Sequence, residues 1–116
     1  MTDDLTLIIP SFQRQELTER AIFSVCRQSQ KCQIIVVDDA SAPPFKLPED
    51  LANEQGIKIV RHEQNKGAAA ARNTGILAAS TTYITFLDSD DLWKPNKLEK
   101  QINFMQKRTN TKKEIA

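Results

Sequence analysis

Three stretches of this chain are apolar without sustained alternation, and that pattern constrains the fold more than any other feature. Leu5 to Ile9, Ile34 to Val37 and Tyr83 to Leu87 run as near-continuous blocks of mostly Ile, Val, Leu and Phe. A strand wetted on one face alternates apolar and polar side chains, whereas a strand covered on both faces does not. The blocks therefore predict the inner strands of a parallel sheet with helices over both sides. Pro10 closes the first block, and strand one is expected to stop there because proline has no N–H to continue a ladder.

The intervening segments supply the covering layers. From Glu16 onward Leu17, Ala21, Ile22 and Val25 recur at helical spacing. Gly67 to Ser80 is rich in alanine, the best helix former, with Gly75 allowing a close approach to the sheet. Pro95 suits the first turn of a third helix carrying Leu98, Ile102 and Met105. Pro43, Pro44 and Pro48 mark an irregular connection, after which Ile57, Ile59 and Val60, interrupted by Lys58, predict a less buried edge strand. With right-handed crossovers, this order gives an α/β, Rossmann-like, mainly parallel sheet of about four strands with helices on both faces. The organisation expected is one domain over residues 1–108 and a polar basic tail over 109–116.

Composition narrows the functional classes. A chain of 116 residues, 40% hydrophobic, fits one globular domain with a modest core. A net charge of +1 creates no general field for nucleic acid, and no nucleic-acid partner is expected. Cys26 and Cys32 match neither a redox pair nor a zinc knuckle, so both are expected to be reduced thiols in a cytoplasmic setting. The basic residues near the end, such as Lys112 and Lys113, leave room for peripheral contact with the inner face of a membrane. His62 stands alone, which argues against a histidine-based metal site or triad.

Chemistry is expected beyond the carboxyl ends of the strands, where open parallel sheets bind ligands. Asp38 and Asp39 follow one inner strand; Asp88, Ser89, Asp90 and Asp91 follow another. One acidic pair after one strand is ordinary turn and cap chemistry. Two at one rim point instead to a cation bridging an anionic ligand, or to carboxylates that meet ligand hydroxyl and imide groups. Asp90, with Asp88, suits a hard divalent cation, Mn2+ or Mg2+, which prefers oxygen donors. Asp39 is placed to accept from a nucleobase or ribose. Arg72, among small neighbours, can reach a phosphate bidentately or remain an ordinary exposed helical arginine.

Four blocks in order then carry a resemblance: Ile8 to Phe12, Val36 to Ser41, Asn65 to Gly75, and Phe86 to Asp91. Together they resemble glycosyltransferase family 2, over about Leu5 to Trp93. The resemblance implies a GT-A fold and a UDP-sugar type donor. It further implies inverting transfer to a sugar, lipid-linked or polysaccharide acceptor, as in polysaccharide biosynthesis. It places Pro10, Ser11 and Phe12 around the uracil, Asp39 on the base and Arg72 near the nucleotide. Asp88, Ser89 and Asp90 then look like the DXD motif, with Asp90 as metal ligand and Asp88 as ribose or metal partner. Phe12 and Gln13 stand where the family often has Tyr and Asn, and Ala42 and Pro43 replace a polar continuation.

The family's second half normally supplies the acceptor site and a carboxylate base, and no residue here is identified as that base. Glu99 and Glu114 are read as solvent-facing. The alternative is thus a non-catalytic nucleotide-sugar-binding domain, or a fragment lacking acceptor site and base. A half-domain without its packing partner would also be prone to homo-oligomerise. A phosphorylation receiver is excluded by the Val36–Asp39 strand coming second rather than first, and a P-loop by the lack of GxxxxGK[ST] near Gly67.

Overall fold

The computed structural model describes residues 4–28, 32–52, 56–88 and 113–115. The elements are β1 (Leu5–Ser11), α1 (Gln15–Cys26), β2 (Gln33–Asp38), α2 (Glu49–Ala52), β3 (Ile57–Arg61), α3 (Ala68–Ala78), β4 (Tyr83–Phe86) and β5 (Lys113–Ile115). All pairings are parallel, and the strand order is β3-β2-β1-β4-β5.

α1 carries the chain from β1 to β2, while α3 carries it from β3 back across to β4. Right-handed connections running in opposite directions place the two helices on opposite faces. Successive strand residues point to alternate faces, so β1 and β2 feed both layers. Leu5, Leu7 and Ile9 of β1 join Ile34 and Val36 of β2 beneath Ala21, Ile22 and Val25 of α1. Ile8, Ile35, Val37 and Ile84 form the other layer with Ala71 of α3 and Ala79 just beyond it. Neither layer alternates with water, which is why the blocks read as continuous.

Three features differ from the expectation. β1 runs through Pro10 to Ser11, whose partner is Asp38. The Leu87 N–H donates to the Ile8 carbonyl at 3.1 Å and the Asp39 N–H to the Ser11 carbonyl at 2.9 Å. Rungs alternate sides along a strand, so the donor missing at Pro10 falls on the β4 side. Pairing therefore stops there and continues toward β2. Second, one turn of helix, α2, interrupts the proline-rich connection and buries Leu51. Third, the sheet has five strands rather than about four: Lys113–Ile115, inside the stretch expected to be a polar tail, pairs with β4. An outer strand of three residues satisfies backbone groups without needing an apolar pattern. The helix expected after Pro95 lies outside the described residues.

Gly75 lets α3 approach β1. A Cβ there would sit 2.5 Å from Cγ2 of Ile8 and 3.0 Å from its Cγ1. Ile8 is fully buried and has nowhere to retreat. Helix propensity would favour alanine by about 1 kcal/mol, but overpacking a filled core typically costs about 1–3 kcal/mol.

The end of β2 is organised by Asp38, which is 1% exposed. Ala40 adopts a left-handed turn, φ 67°, and the Ser41 N–H returns to Asp38 Oδ1 at 3.1 Å. The Phe45 N–H and Arg61 Nη1 both donate to Oδ2, at 2.9 and 2.6 Å. Arg61 also donates through Nη2 to the Ser41 carbonyl at 3.0 Å. Burial alone would push the Asp38 carboxyl up, but the hydrogen bonds from Ser41, Phe45 and Arg61 outweigh it and hold it below the ordinary aspartate range.

Two outcomes follow for stability. Gly75→Ala is expected to lower the urea midpoint despite its better helix propensity. Asp38→Asn turns one acceptor into a donor facing N–H groups and is expected to cost on the order of 2 kcal/mol at neutral pH. A carboxyl depressed by folding contributes stability above its unfolded pKa of about 3.9 and loses it as pH falls through the lower folded value. Urea titrations at successive pH values should therefore show the gap between wild type and Asp38→Asn closing below about pH 4.

Candidate functional site

The strand order reverses between β1 and β4, because the chain builds outward from β1 to β3 and then crosses to the other side. Open α/β sheets form their ligand crevice at such a switch point. Here the β1–β4 ladder ends before Pro10, which has no N–H to offer that side. A cleft of about 380 Å³ lies there, within the range of small-molecule sites. Its walls come from Pro10, Ser11, Phe12 and Arg14 after β1, Asp39 after β2, Ala68, Ala71 and Arg72 on α3, and Asp88 after β4. Six sequence-derived candidates, Pro10, Ser11, Phe12, Asp39, Arg72 and Asp88, are thus brought to one cleft. Ser89 and Asp90 lie outside the described residues.

The β1–α1 loop is held by side-chain amides. Gln13, at φ 55°, donates its N–H to Ser41 Oγ at 2.8 Å. Its amide then pairs reciprocally with Ala42: Nε2 donates to the Ala42 carbonyl at 3.2 Å, and Oε1 accepts from the Ala42 N–H. Gln15 does the same with Lys46, giving 2.7 Å to the carbonyl and accepting its N–H at 3.0 Å. Each glutamine imitates a strand partner for the β2–α2 loop. Gln13 consequently faces that loop and not the cleft, while Phe12 remains 44% exposed at the wall. Beneath it the Ser11 and Thr18 hydroxyls share a buried 2.7 Å hydrogen bond.

Asp39 is 4% exposed and binds the segment leading into α3. Oδ1 accepts from the Lys66 N–H and Oδ2 from the Gly67 N–H, both at 2.8 Å. A carboxylate ahead of a helix start is favoured by the helix dipole. Gly67 has φ 96°, a backbone conformation that favours glycine. His62 completes the set, with Nδ1 2.8 Å from Asp39 Oδ1. Burial would raise the Asp39 carboxyl, but the hydrogen bonds from His62, Lys66 and Gly67 hold it below its ordinary range. Asp38 does not line the cleft, so the two neighbouring acids have separate duties.

Arg72 spans the mouth. Its Cζ lies 5.8 Å from the centre of the Phe86 ring, and Nη2 is 3.3 Å from Asp88 Oδ1. The pair is 40% and 55% exposed, so its attraction is screened and it holds a guanidinium at the rim without closing the site. Arg14 is a wall residue that the sequence did not single out. It ends a loop, and no spacing marks it. In the sequence His62 is an isolated histidine. Its position beside Asp38 and Asp39 follows from the β2–β3 register, where Asp38 meets Arg61, and that register is a structural fact.

Among the described residues no group of three His, Cys, Asp or Glu side chains could hold a metal, and no helix is long and apolar enough to cross a membrane. Cys26 and Cys32 are not joined in a disulfide.

Known proteins share both sequence and fold with this chain. It is 39% identical over 108 residues to the protein designated teichuronic acid biosynthesis glycosyltransferase TuaG of Bacillus subtilis (strain 168), covering 90% of this chain and 43% of that one. It is 38% identical over 104 residues to the UDP-Glc:alpha-D-GlcNAc-diphosphoundecaprenol beta-1,3-glucosyltransferase WfgD of Escherichia coli, covering 89% and 41%. The chain thus spans about two fifths of the length of these curated relatives. S. aureus TarS 1-349, crystallised with UDP-GlcNAc, superposes with a TM-score of 0.76 at 22% identity, over 89% of this chain and 31% of that one. That likeness establishes the fold as GT-A. Residues 6–111 match the model of glycosyl transferase family 2, and the chain belongs to that family.

Proposed function

We propose that this chain is the donor-binding part of an inverting glycosyltransferase that takes a UDP-sugar type donor and a hydroxyl acceptor on a sugar, lipid-linked or polysaccharide substrate. The observation that carries the reading is the convergence of Pro10, Ser11, Phe12, Asp39, Arg72 and Asp88 on one cleft at the β1–β4 switch point. The UDP-GlcNAc held by TarS and the printed activity of WfgD support the same donor class.

In this reading Phe12 and Pro10 offer an apolar wall to the base. Asp39 retains acceptor capacity on Oδ2, which takes one hydrogen bond among the described contacts, and a carboxylate oxygen can accept more than one. Arg72 is presented at the mouth to meet phosphate oxygens. Asp88, an exposed carboxylate at that mouth, has the donor chemistry for Mn2+ or Mg2+, and Asp90 would share the ion with it. Magnesium-like ions bind through one or two carboxylates, substrate phosphates and retained waters, so a sparse protein donor set fits. When bound, such an ion would stabilise negative charge on the departing diphosphate. The cleft faces a cytoplasmic pool of donor, with peripheral attachment to the inner membrane face as part of the same proposal.

The second reading is a domain that binds the nucleotide sugar without turning it over. Transfer or donor hydrolysis by the purified chain separates the two. The donor-binding reading itself is tested by calorimetric titration with uridine diphosphate, with and without manganese, on wild type and Asp90→Ala. The expected outcome is manganese-dependent binding that the substitution largely abolishes; equal affinity in all four titrations defeats the metal assignment.

A further inference from the structure

His62 is buried, 7% exposed, and both ring nitrogens are engaged. Nδ1 lies 2.8 Å from Asp39 Oδ1 and Nε2 lies 2.7 Å from Thr74 Oγ1. Its own N–H donates to the Asp38 carbonyl at 2.9 Å, which fixes the ring's base to the end of β2. An ionised carboxylate can only accept, so Nδ1 carries a proton toward Asp39. In the neutral ring Nε2 then accepts from the Thr74 hydroxyl. The imidazole thereby ties the mouth of β2 to the middle of α3, two elements that form different walls of the cleft.

The arrangement of Asp, His and Thr has the connectivity of a nucleophile relay. Its placement argues against that role: neither His62 nor Thr74 lines the cleft, and Thr74 sits within α3. What the ring does is orient. Oδ1 of Asp39 is shared by His62 and the Lys66 N–H, whereas Oδ2 takes only the Gly67 N–H among the described contacts and so is the oxygen with acceptor capacity to spare. Without the ring, only the Lys66 and Gly67 amides would hold the carboxylate, and its outward acceptor would lose the third contact that fixes its direction.

We propose that His62 is a positioning residue for donor binding: it acts through Asp39, filling Oδ1 together with the Lys66 N–H and so fixing the carboxylate's rotation, while Oδ2, which takes the Gly67 N–H, keeps its remaining acceptor capacity for the nucleotide. This rests on the donor-binding reading above. Two substitutions divide the ring's functions. His62→Asn keeps an N–H donor near the place of Nδ1, and His62→Gln keeps a polar group near Nε2 but places no donor on Asp39.

The experiment is titration of uridine diphosphate, in the presence of manganese, into wild type, His62→Asn and His62→Gln, with thermal melts and amide exchange at Lys66 and Gly67 on each. His62→Asn is expected to bind within a few-fold of wild type. His62→Gln is expected to bind about tenfold more weakly, the scale of one charge-assisted hydrogen bond, with faster exchange at both amides. A merely structural histidine would lower both melting temperatures and leave the two affinities equal at matched folded fraction. That result overturns the inference while the donor-binding reading stands. Absence of nucleotide binding by wild type overturns the reading, and the inference with it.

Discussion

Asp38 and Asp39 are adjacent, yet their carboxylates serve opposite faces of the sheet. Asp38 turns to the α1 side and gathers Ser41, Phe45 and Arg61. Asp39 turns to the α3 side and gathers Lys66, Gly67 and His62. A strand's period of two makes this division unavoidable for neighbouring residues. Each buried charge is tolerable only because it is surrounded by donors. The loops on both sides of β2 therefore take their shape from two consecutive side chains, and the cleft inherits its walls from those loops.

The sheet adds a second constraint. At the switch point the β1–β4 ladder ends with the Leu87 N–H on the Ile8 carbonyl, and Pro10 is the next residue facing that side. Proline at position 10 removes one donor on one side only, so pairing continues against β2 to Ser11 while it ends on the β4 side. Gly75 works in the same direction from above, bringing α3 down on Ile8 so that Ala71 and Arg72 reach the wall.

The inner strands were legible because burial on two faces leaves a trace in composition, and the helices because Ala21, Ile22 and Val25, or the alanine run, keep their period. The acidic rim was legible for the same reason: once the strands are placed, residues that follow them fall at one edge. The continuation of β1 through Pro10 is not legible, because a sequence does not say on which side a missing N–H will fall. α2 and β5 are too short to show periodicity. His62, Gln13 and Gln15 depend on lateral register between distant segments, such as Gln15 with Lys46, and no local pattern encodes that. Asp90, the residue on which the metal expectation leans, lies beyond the described part of the β4 exit.

The glutamine pairs have an entropic consequence. A flexible loop that closes over a ligand must surrender its freedom at that moment, which weakens association. Here Gln13 and Gln15 have already fixed the segment that carries Phe12. Under the proposed donor-binding reading, a base arriving at that ring would meet a wall whose ordering was completed when the chain folded. The gain from covering the aromatic surface then goes into residence time, with little of it consumed by immobilising the backbone beneath.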